Sequence, residues 1–333
     1  MGMGCVLIRD NDTGAAKFWT LSIEGGDAVG KWSEIQFIPP KDTVNEILGA
    51  TEPFYMGYHN GPSNPIVYVY ERDDDDGLPS IQYANLHDFK LTRFANDVDL
   101  EACTRFVAQN DKIALCDADY RYFIGEGQEL LVECPNPNEK MDRIVQDLAI
   151  TGGRHAVPVA LLHPLPGRET KDPVRIRWWN QGAPMCFEND KTYPEGIVCF
   201  DDAIVWHGRN LIGYVDVSSA ARSSPVTSSF TSIPAAGRTV ALAKSGTTLR
   251  LGNLWYATVD GGIYHVDVNA GTSLKVLDAG SDVGHGTGRG SAVVSQMWAD
   301  DFFLYVLTDN GRGAAWRISD VVEDKPSPLL RTS

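Results

Sequence analysis

Residues 254–268, LWYATVDGGIYHVDV, constrain the fold of this chain more than any other stretch. Two apolar runs flank Asp260-Gly261-Gly262, a turn that readily supplies positive φ, so the segment reads as two short strands joined in a hairpin. The unit returns at residues 302–320, FFLYVLTDNGRGAAWRISD, with Asp309-Asn310-Gly311 at the bend. Runs such as IALC (113–116), AIVW (203–206), LWYATV and FFLYVL are apolar at consecutive positions rather than alternate ones. Neighbouring side chains on a strand point to opposite faces, so such a sheet needs cover on both sides.

Much of the chain divides into similar sets. The runs at 197–200, 203–207 and 211–217 form one compact set, turning at Gly208-Arg209-Asn210. Those at 239–243, 254–259, 263–268 and 274–277 form a four-strand set, and 292–297, 303–307 and 314–318 form the last. Helical spacing occurs in two places. Met141, Ile144, Val145 and Leu148 fall at i, i+3, i+4 and i+7, the best helix signal in the chain, with an inner strand as the competing reading. Val44, Ile47 and Leu48 predict one or two helical turns over 42–49. Residues 218–232 are Ser/Thr-rich and predict mostly loop, and 280–290, with five glycines, a flexible connector.

The returning strand of each set carries an aromatic residue: Trp19, Tyr83, Tyr122, Trp178, Tyr214, Tyr264 and Trp316. Their mean spacing is about 50 residues, with individual intervals scattering around it, and blade repeats of four strands run about 40–50. A four-stranded sheet cannot bury both faces alone; stacking such sheets radially covers each with its neighbour and leaves only short edges. On this pattern the chain resembles the seven-bladed β-propeller superfamily. The resemblance implies an all-β fold, a single propeller domain over 1–333, with seven blades of four antiparallel strands and one or two short helical insertions. A two-sheet sandwich, the competing architecture, predicts stricter alternation without the longer period. The Trp-Asp blade ending of WD repeats and the Ser-x-Asp-x-Gly-x-x-Trp box of sialidases are missing, so no subfamily function carries over. Ring closure predicts that the two termini lie side by side, in a shared blade or in neighbouring ones.

The formal net charge is −15, which disfavours direct contact with nucleic acid phosphates. The six cysteines, Cys5, Cys103, Cys116, Cys134, Cys186 and Cys199, form no C-x-x-C pair and no zinc-site spacing, and read as buried free thiols of a reducing compartment. The opening MGMGCVLIRD shows no apolar secretion-signal core, and no apolar run reaches membrane-span length. The expected location is the cytoplasm or an assembled virion, without membrane insertion.

No linear motif carries chemistry. There is no G-x-S-x-G elbow and no H-E-x-x-H, and the seven histidines are scattered, with His207 and His265 expected in strands as packing or hydrogen-bonding groups. Asp10-Asn11-Asp12-Thr13-Gly14 and the run Asp73, Asp74, Asp75, Asp76 with Gly77 place oxygens on tight loops but lack the calcium-loop spacing; acidic turns arise from turn geometry alone. The glycine run 284–290 lacks the preceding strand and following helix of a phosphate cradle. No cofactor, metal or small-molecule ligand is expected. The candidate contact residues are Trp178 and Trp179, an aromatic platform if either is exposed, together with Asp73–Asp76.

These readings favour a non-enzymatic propeller scaffold, a structural protein that makes protein–protein contacts as a subunit of a larger assembly. A virus particle is one such assembly. Two alternatives remain open: a carbohydrate-binding propeller, recognised by an exposed tryptophan, and a hydrolase or lyase with a central metal site, recognised by converging His and Asp.

Overall fold

A computed structural model gives the fold. It describes the strands named below, residues 193–217, 230–283 and 292–322 (except 300, 301 and 311), and residues 151, 165 and 167; side chains are described only within 107–322. The first sheet holds β1 (Gly2–Arg9), β2 (Ala16–Ile23) and β3 (Lys31–Ile35). The second holds β4 (Asn45–Ala50), β5 (Phe54–Tyr55), β6 (Pro65–Asp73), β7 (Pro79–Asn85) and β8 (Leu91–Arg93). Four-stranded sheets follow in sequence order. They are β9 (Cys103–Gln109), β10 (Lys112–Asp117), β11 (Tyr122–Glu126) and β12 (Val132–Cys134); then β13 (Arg143–Ile150), β14 (Pro158–Pro164), β15 (Val174–Asn180) and β16 (Ala183–Asn189). Next come β17 (Gly196–Cys199), β18 (Ala203–His207), β19 (Leu211–Asp216) and β20 (Thr231–Pro234). The last two are β21 (Thr239–Ser245), β22 (Asn253–Thr258), β23 (Gly262–Asp267) and β24 (Thr272–Asp278), and β25 (Val294–Ala299), β26 (Phe303–Thr308), β27 (Gly313–Arg317) and β28 (Leu330–Arg331). A short helix, α1 (Ile318–Val322), follows β27. Every pairing among these strands is antiparallel, and the seven aromatics of the repeat series fall one to a sheet.

The sheets stack face to face. β18 shows why: Ile204 and Trp206 pack with Val159, Leu161, Ile176 and Trp178 of the preceding sheet. Ala203 and Val205, one residue out of phase, pack with Leu242, Leu254 and Tyr256 of the following sheet. β22 repeats the division, with Trp255 and Ala257 turned instead toward Leu304, Val306 and Trp316 of the last sheet. Ala114 and Cys116 of β10 meet Leu148, Ala160 and Leu162 of the β13–β16 sheet in the same way. Each apolar run thus feeds two cores at once, as consecutive apolar positions demand. Trp178, Trp206, Trp255 and Trp316 are at most 1% exposed. The first strands of successive sheets, β9, β13, β17, β21 and β25, contact one another and line the inside of the stack. This is the radial arrangement of a β-propeller.

In such a stack the connections alternate between two faces. On the upper face lie the turns between second and third strands and the passages from sheet to sheet; on the lower face lie the remaining connections. The upper turns repeat one device. In β22–β23 the Thr258 hydroxyl is shared between Asp260 Oδ1 and Gly262 O, and Gly261 N donates to Thr258 O at 2.9 Å. In β26–β27 the Thr308 hydroxyl is shared between Asn310 Oδ1 and Arg312 O. Both threonines are buried, so the hydroxyl has no water to fall back on. Thr258→Ala is expected to cost about 1–2 kcal/mol, the price of leaving a buried turn carbonyl unpaired, read as a fall in urea midpoint at unchanged m.

Both helix expectations are corrected. Residues 143–150 form β13, and 45–50 form β4. Each strand carries a register shift, between Val145 and Asp147 in β13 and between Ile47 and Gly49 in β4. The start of the Ser/Thr-rich stretch lies outside the described residues, but its end forms β20, and the start of the glycine connector forms a π-turn over Ala279–Val283. The chain ends do not share a sheet: β1 pairs with β2, and β28 with β27. Cys116 and Cys199 are buried and not joined in a disulfide. No described helix is long and apolar enough to cross a membrane.

Candidate partner-binding site

The lower face between the β17–β20 and β21–β24 sheets holds a cleft of about 350 Å³. Its walls come from four separate connections. Asp202 lies in the β17–β18 turn, Tyr214 and Asp216 end β19, Phe230 precedes β20, Leu249 and Arg250 lie in the β21–β22 turn, and Val268 follows β23. Tyr214, Leu249 and Val268 belong to the core between the two sheets, so the cleft is the point where that core opens to solvent. Phe230 leans the other way, its ring 5.3 Å from that of Trp206.

The turns framing the cleft are laced together. Asp201 N donates to Thr247 O at 2.7 Å, and Leu249 N to Asp202 Oδ1 at 2.9 Å, each crossing from one sheet to the next. Val217 N donates to Asp202 O at 2.8 Å. Gly252 closes the β21–β22 turn where a Cβ would meet Ser245 O at 2.4 Å and Thr248 O at 2.8 Å, so only glycine fits without moving backbone. Burial pushes the Asp201 carboxyl up, with Lys244 opposing and Asp202 adding to the rise. Lys244 itself lies 5.1 Å from the centre of the Phe200 ring.

Exposed apolar groups gather on this same face. Leu251, next to Arg250 at the mouth, is 90% exposed, and Phe302, in the β25–β26 turn, is 63% exposed. Val322, at the end of α1, is 42% exposed, and α1 is tied to that turn by Ile318 N donating to Phe302 O. Of the other large exposed apolar residues described, Val259 lies on the upper face and Leu274 on the outer strand β24.

Of the described histidines, His207 and His163 lie toward the upper face and His265 toward the lower. His207 Nδ1 lies 3.0 Å from Thr239 Oγ1, and the Thr239 hydroxyl donates to Gly208 O. The hydroxyl proton being committed, His207 donates from Nδ1 and is neutral; burial drops its pKa to about 4. Thr239 is fully buried, so the pair joins two sheets and is not open to a substrate. His163 Nε2 donates to Pro194 O at 2.6 Å, and His265 Nε2 to Asn253 Oδ1 at 3.2 Å. Burial lowers the pKa of both. Among the described residues no three His, Cys, Asp or Glu side chains converge as metal ligands would.

Of the contact residues expected from sequence, Trp178, a platform only if exposed, is 1% exposed and packed between its own sheet and the next. Trp179 is in β15 and Asp73 ends β6, but their side chains, and all of Asp74, Asp75 and Asp76, lie outside the described residues. The two calcium-like loops and the glycine run 284–290 lie outside them as well, Asp73 apart. The cleft residues escaped sequence reading because they sit on four turns spread from Asp202 to Val268, and only radial stacking brings them together. The usable signal was the turn class: every one of them lies at a lower-face connection.

No protein-family model matches the chain, and no curated protein does. Solved structures are similar in fold. Apo AztD from Citrobacter koseri is 15% identical, with 98% of this chain and 85% of that one covered and a TM-score of 0.45. A crystal structure of Citrobacter koseri AztD is 12% identical, with 98% and 89% covered and a TM-score of 0.43. YCF48 bound to D1 peptide is 9% identical, with 89% and 86% covered and a TM-score of 0.52. These are β-propeller proteins, and so is this chain.

Proposed function

We propose that this propeller is a non-enzymatic scaffold that holds another protein as a subunit of a larger assembly, a virus particle being one form such an assembly takes. The observation that carries the reading is the exposure of Leu251, Phe302 and Val322 on the face that also holds a cleft framed by hydrogen-bonded turns. Large apolar side chains clustered on one face mark a surface that another molecule covers. The fold itself is compatible with the task, since YCF48, a propeller, is seen bound to D1 peptide.

Native size tests the reading. In an extract of the natural source, resolved by gradient sedimentation and detected with antibody, the protein is expected to run far faster than a 36.5 kDa chain, together with its partners. Sedimentation as a free monomer overturns a stable-assembly role.

A further inference from the structure

We infer that the lower-face cleft takes a segment of a partner protein carrying one aromatic side chain flanked by lysines or arginines. The inference rests on the scaffold reading and names the chemistry of its partner. The cleft walls are Tyr214, Phe230, Leu249 and Val268, and the volume suits a single large side chain. Two carboxylates, Asp202 and Asp216, line the mouth. Among the described residues Arg250 is the one cation lining the cleft. Asp202 is held in place by the Leu249 N–H, so its charge is presented at a fixed point. A flanking cation meets complementary charge there, whereas a flanking glutamate meets repulsion.

A second copy of this chain is the poorer occupant. At a net charge of −15 two copies repel each other, and the same acidic rim would face the same acidic surface. A partner segment brings the opposite sign and fills the cleft with one anchor, leaving Leu251, next to the lining residue Arg250, to be covered by what surrounds it.

The test uses the full chain and fluorescein-labelled peptides, read by anisotropy at low and physiological salt. Lys-Lys-Trp-Lys-Lys is expected to bind about tenfold tighter than Lys-Lys-Ser-Lys-Lys, because the anchor is buried. Glu-Glu-Trp-Glu-Glu is expected not to bind. The paired change Asp202→Asn with Asp216→Asn should weaken the lysine–tryptophan peptide about fivefold and flatten its salt dependence, and Leu251→Ser should weaken it too. Val259→Ser on the upper face should change nothing. Equal binding of the serine or glutamate peptides, or an equal loss in Val259→Ser, overturns the inference. So does a dimer that Leu251→Ser dissociates, or peptide uptake seen only after residues 218–229 are excised, which would place the chain's own segment in the cleft.

The two readings fail separately. Fast sedimentation of the native protein that Leu251→Ser and the paired Asn variant leave intact rejects the cleft and keeps the scaffold. Sedimentation as a monomer rejects the scaffold itself.

Discussion

Gly213→Ala is expected to destabilise the protein by about 3 kcal/mol, although it adds only a methyl group to a strand position. Gly213 on β19 pairs with Trp206 on β18, and a Cβ there would lie 2.4 Å from Trp206 Cε2 and 2.6 Å from Nε1. The indole cannot step aside, because it is fully buried between two sheets, against Ile176, Trp178 and Ile197 on one side and its own strand on the other. Strand propensity argues for the opposite sign, since alanine in a strand is favoured over glycine by roughly 0.5–1 kcal/mol. The steric term must therefore win, and a neutral or stabilising result would refute the account. The cause is isolated by a double-mutant cycle in urea. Trp206→Leu alone removes ring contacts and should cost about 3 kcal/mol. In that background Gly213→Ala should cost less than about 1 kcal/mol, a coupling of about 2 kcal/mol between the two sites. Additive costs would mean that Gly213 is needed for its backbone and not for the room it leaves the indole.

The same geometry explains how much of the fold the sequence reveals. Consecutive apolar positions in AIVW and LWYATV announced sheets covered on both faces, and the cores on the two sides of β18 and β22 are that cover. The false helix over Met141–Leu148 has a definite origin. A bulge places Gln146 outside the ladder, with Val145 opposite Leu162 and Asp147 opposite Leu161. One extra residue changes the parity of the strand, so Val145, Leu148 and Ile150 share the face toward β10, and an i, i+3 spacing arises in a strand. β4 shows the same coincidence, its register shift falling between Ile47 and Gly49, at Leu48. Periodicity cannot distinguish a helical turn from a bulge. The bulge in β13 also re-aims Asp147 toward the next sheet, where its Oδ2 accepts from Ile197 N at 2.9 Å. The cleft was illegible for a different reason. Its chemistry is a property of two neighbouring sheets, and Tyr214, noted as one of seven repeated aromatics, gains its role only from the company of Phe230 and Leu249.

Replacing His207 by threonine is expected to remove a share of the protein's acid sensitivity between pH 6.5 and pH 4 worth about 3 kcal/mol. Thr258 and Thr308 occupy the equivalent position, the last residue of the second strand, in the two following sheets. His207 in their place reaches across to Thr239 at the start of β21 and so pins two sheets together. Gly196 makes room for the ring, its absent Cβ otherwise 2.6 Å from His207 Nε2, and Asp147 Oδ2 lies beyond that glycine. The ring is 5% exposed, so a proton taken up by the folded chain would place a charge where water cannot reach it. Its pKa falls from 6.5 to about 4. Above pH 6.5 the residue is neutral in both states and adds no pH dependence. Below pH 6.5 the unfolded chain binds a proton that the folded chain refuses, so stability falls, and the fall ends near pH 4 when both states are protonated. The whole effect amounts to about 3 kcal/mol. His207→Thr loses packing volume and should be less stable than the parent at pH 7.5, yet its stability should change less toward pH 4. Urea midpoints of both proteins across this range give the comparison, and His163, His265 and Asp201, whose pKa values burial also shifts, are common to both and cancel in the difference. Parallel acid slopes for the two proteins would show that His207 is free to take up a proton in the folded state.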